Sequence, residues 1–528
     1  MTISPRAIND FLSQKRDNHL FIKSLSTKQI DGEIERLNPK PKFWPNLRIH
    51  QKICFLLGLA YPQFFFQLDM GTGKSLLSLV LLSYFHQLGH KKFLIQVPMD
   101  ESIDNWIEQT TEWGFDLPVI PLRHSGERKL QDWDNLKEGV AISTYIGLAT
   151  SLSRLQDKKP TKNKKKVKGR EWKPDLRLVE WFRSTLDGVV FDESTKICHQ
   201  TSLSFEIAQL VSRNCLIRYA LAGRPFGKDP QDLWAQFYLI DRGETLGSTL
   251  TLFRETFFLK TRSRFGGPFS FTYKLNPKKN KTLTTICQHR SIAYAADECI
   301  ELPDLVKIRK KTGLTSNSRE YYDKYIQDII DAKGNLSAVK NAFIQMRQIS
   351  SGFIGFRDDD TDEKVEIEFD KNPKFDMLMD LVAEVPENEK AIIFHDFTFS
   401  GRKIHNALTK EGYKNGWLWG GTKDWKDIKY KFDNDSRFRF LVIQSKKGSY
   451  SLNLQRSNIA FFYESPVPAI DRDQAERRIY RQGQTRKVRI YDLITKNTVD
   501  ELILAYHKQG GDLFKDLISN PAKMIGKR

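Results

Sequence analysis

Short apolar runs recur along this chain, each followed by a stretch of helix length, and that rhythm restricts the fold more than any other feature. Gln63–Leu68, Phe93–Val97, Gly139–Ser143, Gly188–Phe191 and Ile217–Ala222 are strand candidates, and Ser75–Gln87 has helical spacing. Continuous apolar runs suit strands buried on both faces, and parallel neighbours need helical crossovers. The pattern predicts a parallel sheet covered by helices. It restarts after Pro303, with helices over Ser316–Ile330 and Ser337–Ile349 and strands at Ala391–Phe394, Phe440–Ile443, Ile459–Tyr463 and Val488–Asp492. Two tandem α/β units follow, without solenoid repeats.

Composition narrows the class of partner. The chain carries 84 basic against 65 acidic residues, a formal charge of +19. Such an excess suits a polyanion, although the same charge also serves solubility. Cys54, Cys198, Cys215, Cys287 and Cys299 form no CxxC pair, which argues against a zinc ribbon and for reduced thiols in a cytoplasm-like compartment. Met1–Phe11 lacks an apolar signal core, and Leu76–Phe85 is too short and serine-interrupted to cross a bilayer. A soluble, intracellular, nucleic-acid-associated monomer with no membrane partner is expected.

The expected boundaries are an N-terminal helical extension over 1–45, a first unit over 46–250 and an insertion with linker over 251–303. A second unit with a helical protrusion follows over 304–515, then a tail over 516–528. Residues 154–173 hold Lys158, Lys159, Lys162, Lys164, Lys165, Lys166, Lys168 and Arg170 with almost nothing apolar, and read as an exposed, mobile loop. A nucleic-acid contact and an inert solvated loop fit this stretch equally well. Thr261–Lys281, rich in glycine, proline and lysine, reads as part of the insertion.

Three segments carry chemistry. Leu68-Asp69-Met70-Gly71-Thr72-Gly73-Lys74-Ser75 lies between a strand and a helix candidate, the setting of a phosphate-binding loop. Glycines let the backbone approach phosphates while helix N-terminal amides face the anion. Lys74 is placed to reach the β- and γ-phosphates and Ser75 to ligate magnesium. Leu68 stands where the strict pattern has its first glycine. Asp192 and Glu193 follow the Gly188–Phe191 run; Asp192 suits a magnesium ligand and Glu193 the group that orients the attacking water. Arg478 and Arg481, three apart, are expected on one helix face, where two arginines can clamp a transferring phosphoryl group.

With these segments in order, the chain resembles the Swi/Snf family of superfamily-two helicase-like ATPases, of a compact bacterial, phage or viral type. Leu47-Arg48-Ile49-His50-Gln51 resembles its adenine-reading motif, and Asp69–Ser75 its DEMGLGKT loop. Gln96-Val97-Pro98 with Asn105-Trp106, and Ile142-Ser143-Thr144-Tyr145, resemble its next two blocks. Asp192-Glu193-Ser194-Thr195 stands at its DEAH position, and Ala222-Gly223-Arg224-Pro225 with Asp232-Leu233-Trp234 at its TGTP and ELW positions. In the second half Met346-Arg347-Gln348-Ile349, Asn372–Asp376, Ile392–His395 and Trp419-Gly420-Gly421-Thr422 match further blocks. Ser445-Lys446 through Leu452–Gln455 resembles TKAGGEGLNLQ, and Gln474–Gln484 resembles QAxDRxHRIGQ. Arg224, Ser449, Ser451, Val467, Arg477 and Tyr480 depart from the family pattern, and that puts tuning rather than the catalytic set in question.

The resemblance implies two RecA-like α/β lobes with parallel sheets and helical insertions, and ATP with Mg2+ bound between them. Gln51 is implied as the base contact, Met70, Gly71, Thr72, Gly73, Lys74 and Ser75 as the phosphate loop, and Ser75 and Asp192 as metal ligands. Thr144, Ser445 and Lys446 are implied DNA contacts. The implied activity is a DNA-dependent ATPase that translocates on double-stranded DNA and remodels protein–DNA complexes or DNA structures. A strand-separating DNA or RNA helicase and a nucleotide-gated DNA-binding scaffold are the alternatives.

Overall fold

The computed structural model describes residues 20–157, 170–223, 229–262, 271–299, 302–332, 335–357, 363–445, 452–481, 483–509 and 513. The chain divides into two units, Met1–Ile300 and Glu301–Arg528.

In the first unit the predicted apolar runs become strands because both their faces are buried. They are β1 (Gln63–Leu68), β2 (Lys92–Val97), β4 (Gly139–Thr144), β7 (Gly188–Phe191) and β8 (Ile217–Ala222), and they are joined by β3 (Val119–Pro121) and β11 (Ser291–Tyr294), which were not predicted. They form one sheet in the order β11-β1-β8-β7-β2-β4-β3, with every neighbouring pair parallel. Side chains alternate across a strand, so Phe65, Leu94, Ala141 and Val189 join one core. Phe66, Phe93, Val140 and Val190 join another on the opposite face.

Two stretches differ from expectation. Of the segment read as a mobile loop, β5 (Ser153–Asp157) and β6 (Arg170–Pro174) pair as an antiparallel hairpin, with Leu155 opposite Trp172. Both of those side chains are exposed, so no buried alternation marked the strands. Within 251–303, β9 (Phe258–Arg262) and β10 (Phe271–Leu275) form a second hairpin. The same segment supplies β11, which extends the main sheet beside β1.

The second unit repeats the plan. Its strands are β12 (Leu305–Thr312), β15 (Ala391–His395), β16 (Lys414–Leu418), β17 (Phe438–Gln444), β18 (Ile459–Phe462) and β19 (Val488–Thr495). They are all parallel, in the order β12-β19-β18-β15-β17-β16. A hairpin of β13 (Phe353–Arg357) and β14 (Lys364–Glu368) stands apart from this sheet. Helices Ser316–Asp331 and Leu336–Ser350 share a core that includes Tyr322, Phe343 and Met346. Among the described residues no helix is long and apolar enough to cross a membrane.

Candidate active site

Ligands of parallel α/β sheets bind at the carboxyl ends of the strands, and the predicted residues of the first unit gather there. The loop Asp69–Gly73 leaves β1 and enters helix Lys74–Gln87. Gly71 and Gly73 adopt φ of 83° and 82°, a left-handed conformation that L side chains disfavour. Thr72 donates its hydroxyl to Asp69 O at 2.7 Å and tightens the turn.

The preceding helix, Ile49–Ala60, fixes the loop from behind. His50 Nε2 lies 2.9 Å from Thr72 O, and Gln51 Nε2 donates to Gly73 O at 2.9 Å. Burial pushes the His50 imidazole below its usual range, so the ring is neutral and Nε2–H is the donor. A Cβ on Gly73 would lie 2.3 Å from Gln51 Nε2, so glycine is required here for space as well as for backbone conformation. Gln51 Oε1 accepts from Arg48 N at 2.8 Å. Its carboxamide, expected to contact a base, is here a clamp between a helix start and the phosphate loop.

Lys74, Asp192 and Glu193 form the charged centre. Lys74 Nζ lies 3.5 Å from Glu193 Oε1 and is buried with no hydrogen-bond partner. Glu193, just past β7, sits at φ 48° and ψ 52°, a region that non-glycine residues rarely occupy. Trp106 Nε1 donates to Asp192 Oδ2 at 2.9 Å, and the Tyr145 hydroxyl donates to Asp192 O at 2.7 Å. Burial and the neighbouring Glu193 push the Asp192 carboxyl up to about 6, against the opposing pull of Lys74 and Trp106. A cation at Asp192 would relieve that cost, and an anion at Lys74 would satisfy its ammonium. Ser75 lies in the first turn of the same helix, whose leading amides have no partner within the helix. The donor set therefore fits a magnesium-bound nucleotide phosphate.

The remaining predicted residues have the following surroundings. Thr144 ends β4 and caps helix Tyr145–Ser151, accepting from Gly147 N at 3.0 Å. Ser445, expected to touch DNA, is fully buried and donates to His395 O at 3.2 Å, so its hydroxyl is not offered at the surface. Arg478 lies in helix Ala469–Ile479, but Arg481 follows the helix end at Tyr480, which has φ −91° and ψ 81°. The two arginines therefore do not share a helix face. Gly483, at φ 90°, turns the chain, and Gln484 Nε2 donates to Ser457 O at 2.8 Å, Gln455 O at 3.1 Å and Ile479 O at 3.4 Å. Lys446, Arg224, Ser449, Ser451 and the lysines of 158–168 lie outside the described residues.

Residue pattern alone assigned no role to His50, Trp106, Tyr145 or Gln484. Trp106 and Tyr145 sat inside quoted blocks, and an indole or phenol followed by a buried carboxylate strand was the available signal.

The SNF2-related domain family matches residues 65–357. An uncharacterized ATP-dependent helicase of Mycoplasma genitalium is 23% identical, covering 96% of this chain and 45% of its own length. A putative ATP-dependent helicase/translocase of Bacillus subtilis is also 23% identical, covering 91% of this chain and 50% of its own. The chain thus spans about half the length of these two relatives. A solved structure of the Sulfolobus solfataricus SWI2/SNF2 ATPase core in complex with dsDNA is 22% identical over 90% of this chain and 93% of that one, at a TM-score of 0.35.

Proposed function

The chain belongs to the family of proteins with an SNF2-related domain, and on that premise we propose that it is a DNA-dependent ATPase that translocates on double-stranded DNA. One observation carries the reading: beside the glycine loop the buried Lys74 ammonium has no hydrogen bond and lies 3.5 Å from Glu193 Oε1, next to the buried Asp192 carboxyl. That arrangement is incomplete without a polyphosphate and a cation.

Lys74 and the loop amides bind the β- and γ-phosphates. Asp192 and Ser75 hold magnesium, which supplies charge neutralisation on the phosphoryl oxygens. Glu193, aimed by its left-handed backbone, orients the attacking water. Arg478 and Arg481 of the second unit stabilise charge on the transferring group. Cycles of ATP binding and hydrolysis move the chain along a phosphate backbone without reading bases.

Charge supports the choice of DNA, with +19 overall, as does the helicase/translocase description of the B. subtilis relative. Tracking on a duplex avoids the loss of stacking that strand separation entails, about 1.4 kcal/mol per base-pair step. The test measures ATP turnover with duplex DNA, single-stranded DNA and RNA, then third-strand release from a triplex beside unwinding of a fork. Duplex-stimulated turnover with triplex release and little fork product is expected. Fork unwinding without triplex release would replace this reading with a strand-separating helicase.

A further inference from the structure

The insertion after the first unit's central strands carries a surface that the catalytic set does not use. In its hairpin, Phe258 stands opposite Leu275, Lys260 opposite Tyr273 and Arg262 opposite Phe271. Side chains two apart on a strand share a face, so these three pairs lie on one side of β9 and β10. That side is apolar at its root and basic and aromatic beyond it. The root is anchored: Phe258 belongs to a core of the first unit, and Tyr273 and Leu275 pack against the same core. Asn276 N donates to Phe257 O at 2.9 Å and closes the base. At the outer end Lys260, Arg262 and Phe271 are exposed.

Cations and rings alternate along that side. Arg254, from helix Leu250–Phe257, lies 4.8 Å from the centre of the Tyr273 ring, and Lys260 Nζ lies 4.1 Å from that of Phe271. A ring face attracts the cation and seats its apolar stem, while the charged head stays open to solvent. Among the described residues Lys260, Arg262 and Lys274 make no ion pair. Stretches 254–262 and 271–281 hold three and four basic residues, against a single acidic one, Glu255. Lys278, Lys279 and Lys281 are exposed in the turn and helix start that follow the root. Soluble surfaces normally intersperse both signs, whereas here one sign runs from root to outer end. Such a strip suits a polyanion whose charges repeat along a backbone and whose condensed counterions are released on contact. The exposed Phe271 ring adds an apolar surface of the kind that nucleic-acid sugars and bases meet.

We propose that hairpin β9–β10, with the lysines that follow it, is a nucleic-acid-binding arm that holds backbone phosphates and lies outside the catalytic set. The proposal rests on the nucleic-acid-dependent ATPase reading and assigns it a contact surface on the first unit.

Lys260→Ala with Arg262→Ala removes two cations from an exposed face. A control, Lys28→Ala with Lys40→Ala, removes the same charge from exposed positions elsewhere. Wild type and both double variants of the full chain are titrated with a fluorescent duplex over a salt series and, in parallel, with polyglutamate. The hairpin variant should bind duplex at least about fivefold more weakly near about 0.1 M salt, with a slope of log affinity against log salt shallower by about 1–2. Its DNA-free ATP turnover should stay within about twofold of wild type, and the control should lose less affinity. Duplex affinity equal to wild type, or equal losses in both variants, overturns the arm. Lost polyglutamate binding with unchanged duplex affinity overturns it in favour of an acidic protein partner. A wild-type chain that binds no nucleic acid removes the functional reading itself, and the arm with it. Should the hairpin variant fold poorly, acetylation of Lys260, Lys274 and Lys278 in the wild-type chain is compared with and without duplex. Protection by duplex supports the arm, and equal labelling overturns it.

Discussion

Two buried charge clusters, one in each unit, are satisfied to very different degrees. In the first, the Lys74 ammonium has no hydrogen bond and Asp192 is pushed up to about 6. In the second, Arg472 Nε donates to Glu476 Oε1 at 2.7 Å, and its Nη1 donates to Ser465 Oγ at 2.8 Å and lies 2.6 Å from Asp492 Oδ1. The guanidinium also lies 3.4 Å from the centre of the Phe462 ring. Lys307 adds an ion pair to Glu476 at 2.6 Å. Burial pushes the Glu476 carboxyl up, yet Arg472 and Lys307 bring it below its usual range. Charges left short of partners await a ligand, whereas charges set among several ion pairs and hydrogen bonds hold a helix in place. Within the family signature at Gln474–Gln484, Gln484 acts on shape, as does Arg472 just ahead of it.

The sharpest test of that contrast is Glu193→Gln. It should lower turnover by about 10³-fold or more while nucleotide still binds, as read by single-turnover hydrolysis and nucleotide titration. Turnover at the wild-type rate would dissolve the distinction.

Arg472→Met attacks the other cluster and leaves Glu476 and Asp492 buried with less compensation. A loss of about 3–5 kcal/mol in urea unfolding is expected. A loss below about 1 kcal/mol would show that the network behaves like a surface pair.

Acid acts with opposite sign on a buried group of each unit. His395 is fully buried, with Nδ1 3.0 Å from Phe397 O and Nε2 accepting from Trp417 Nε1 at 3.0 Å. Burial lowers it from 6.5 to about 4, so its contribution is present above 6.5 and is lost as pH falls toward 4, amounting to about 3 kcal/mol. Asp192 runs the other way. Raised from 3.8 to about 6, it contributes stability below 3.8 that is lost as pH rises through 6. Asp192→Asn should therefore lose stability more steeply than wild type between pH 6 and 4, as measured by thermal unfolding. Equal slopes would mean that the carboxylate is not strained.

The smallest effect is expected at Gln484. Replacement by alanine removes three bonds to main-chain carbonyls from a side chain in a 5% exposed residue, at about 1–3 kcal/mol. Unfolding that is unchanged would show that these three bonds do not hold the segment in shape.

The central strands were legible in the sequence because burial on both faces leaves an unbroken apolar run, as in Phe64–Phe66 and Val189–Phe191. The hairpins were not, since Leu155 and Trp172 pair across strands in solvent and no period of two appears. β11 was hidden because Ser291–Tyr294 is short and pairs only with β1 on its described side. Of the candidate site, Gly71, Gly73, Lys74, Asp192 and Glu193 were readable from residue type and order. Trp106 and Tyr145 act on Asp192 from 86 and 47 residues away, and only the fold brings them there. The expected face shared by Arg478 and Arg481 failed because helical spacing was extended past Ile479, where the Gly483 turn takes over.

The clamp on Gly73 separates two kinds of boundary. The family match begins at residue 65, whereas the side chains that set the loop's carbonyls belong to residues 50 and 51. A fragment cut to the family's edge would retain each glycine, the lysine and the serine by name. It would lose the struts that give them a shape, and only the left-handed φ of 82° would still call for glycine at position 73. Sequence kinship and mechanical self-sufficiency therefore start at different residues in this chain.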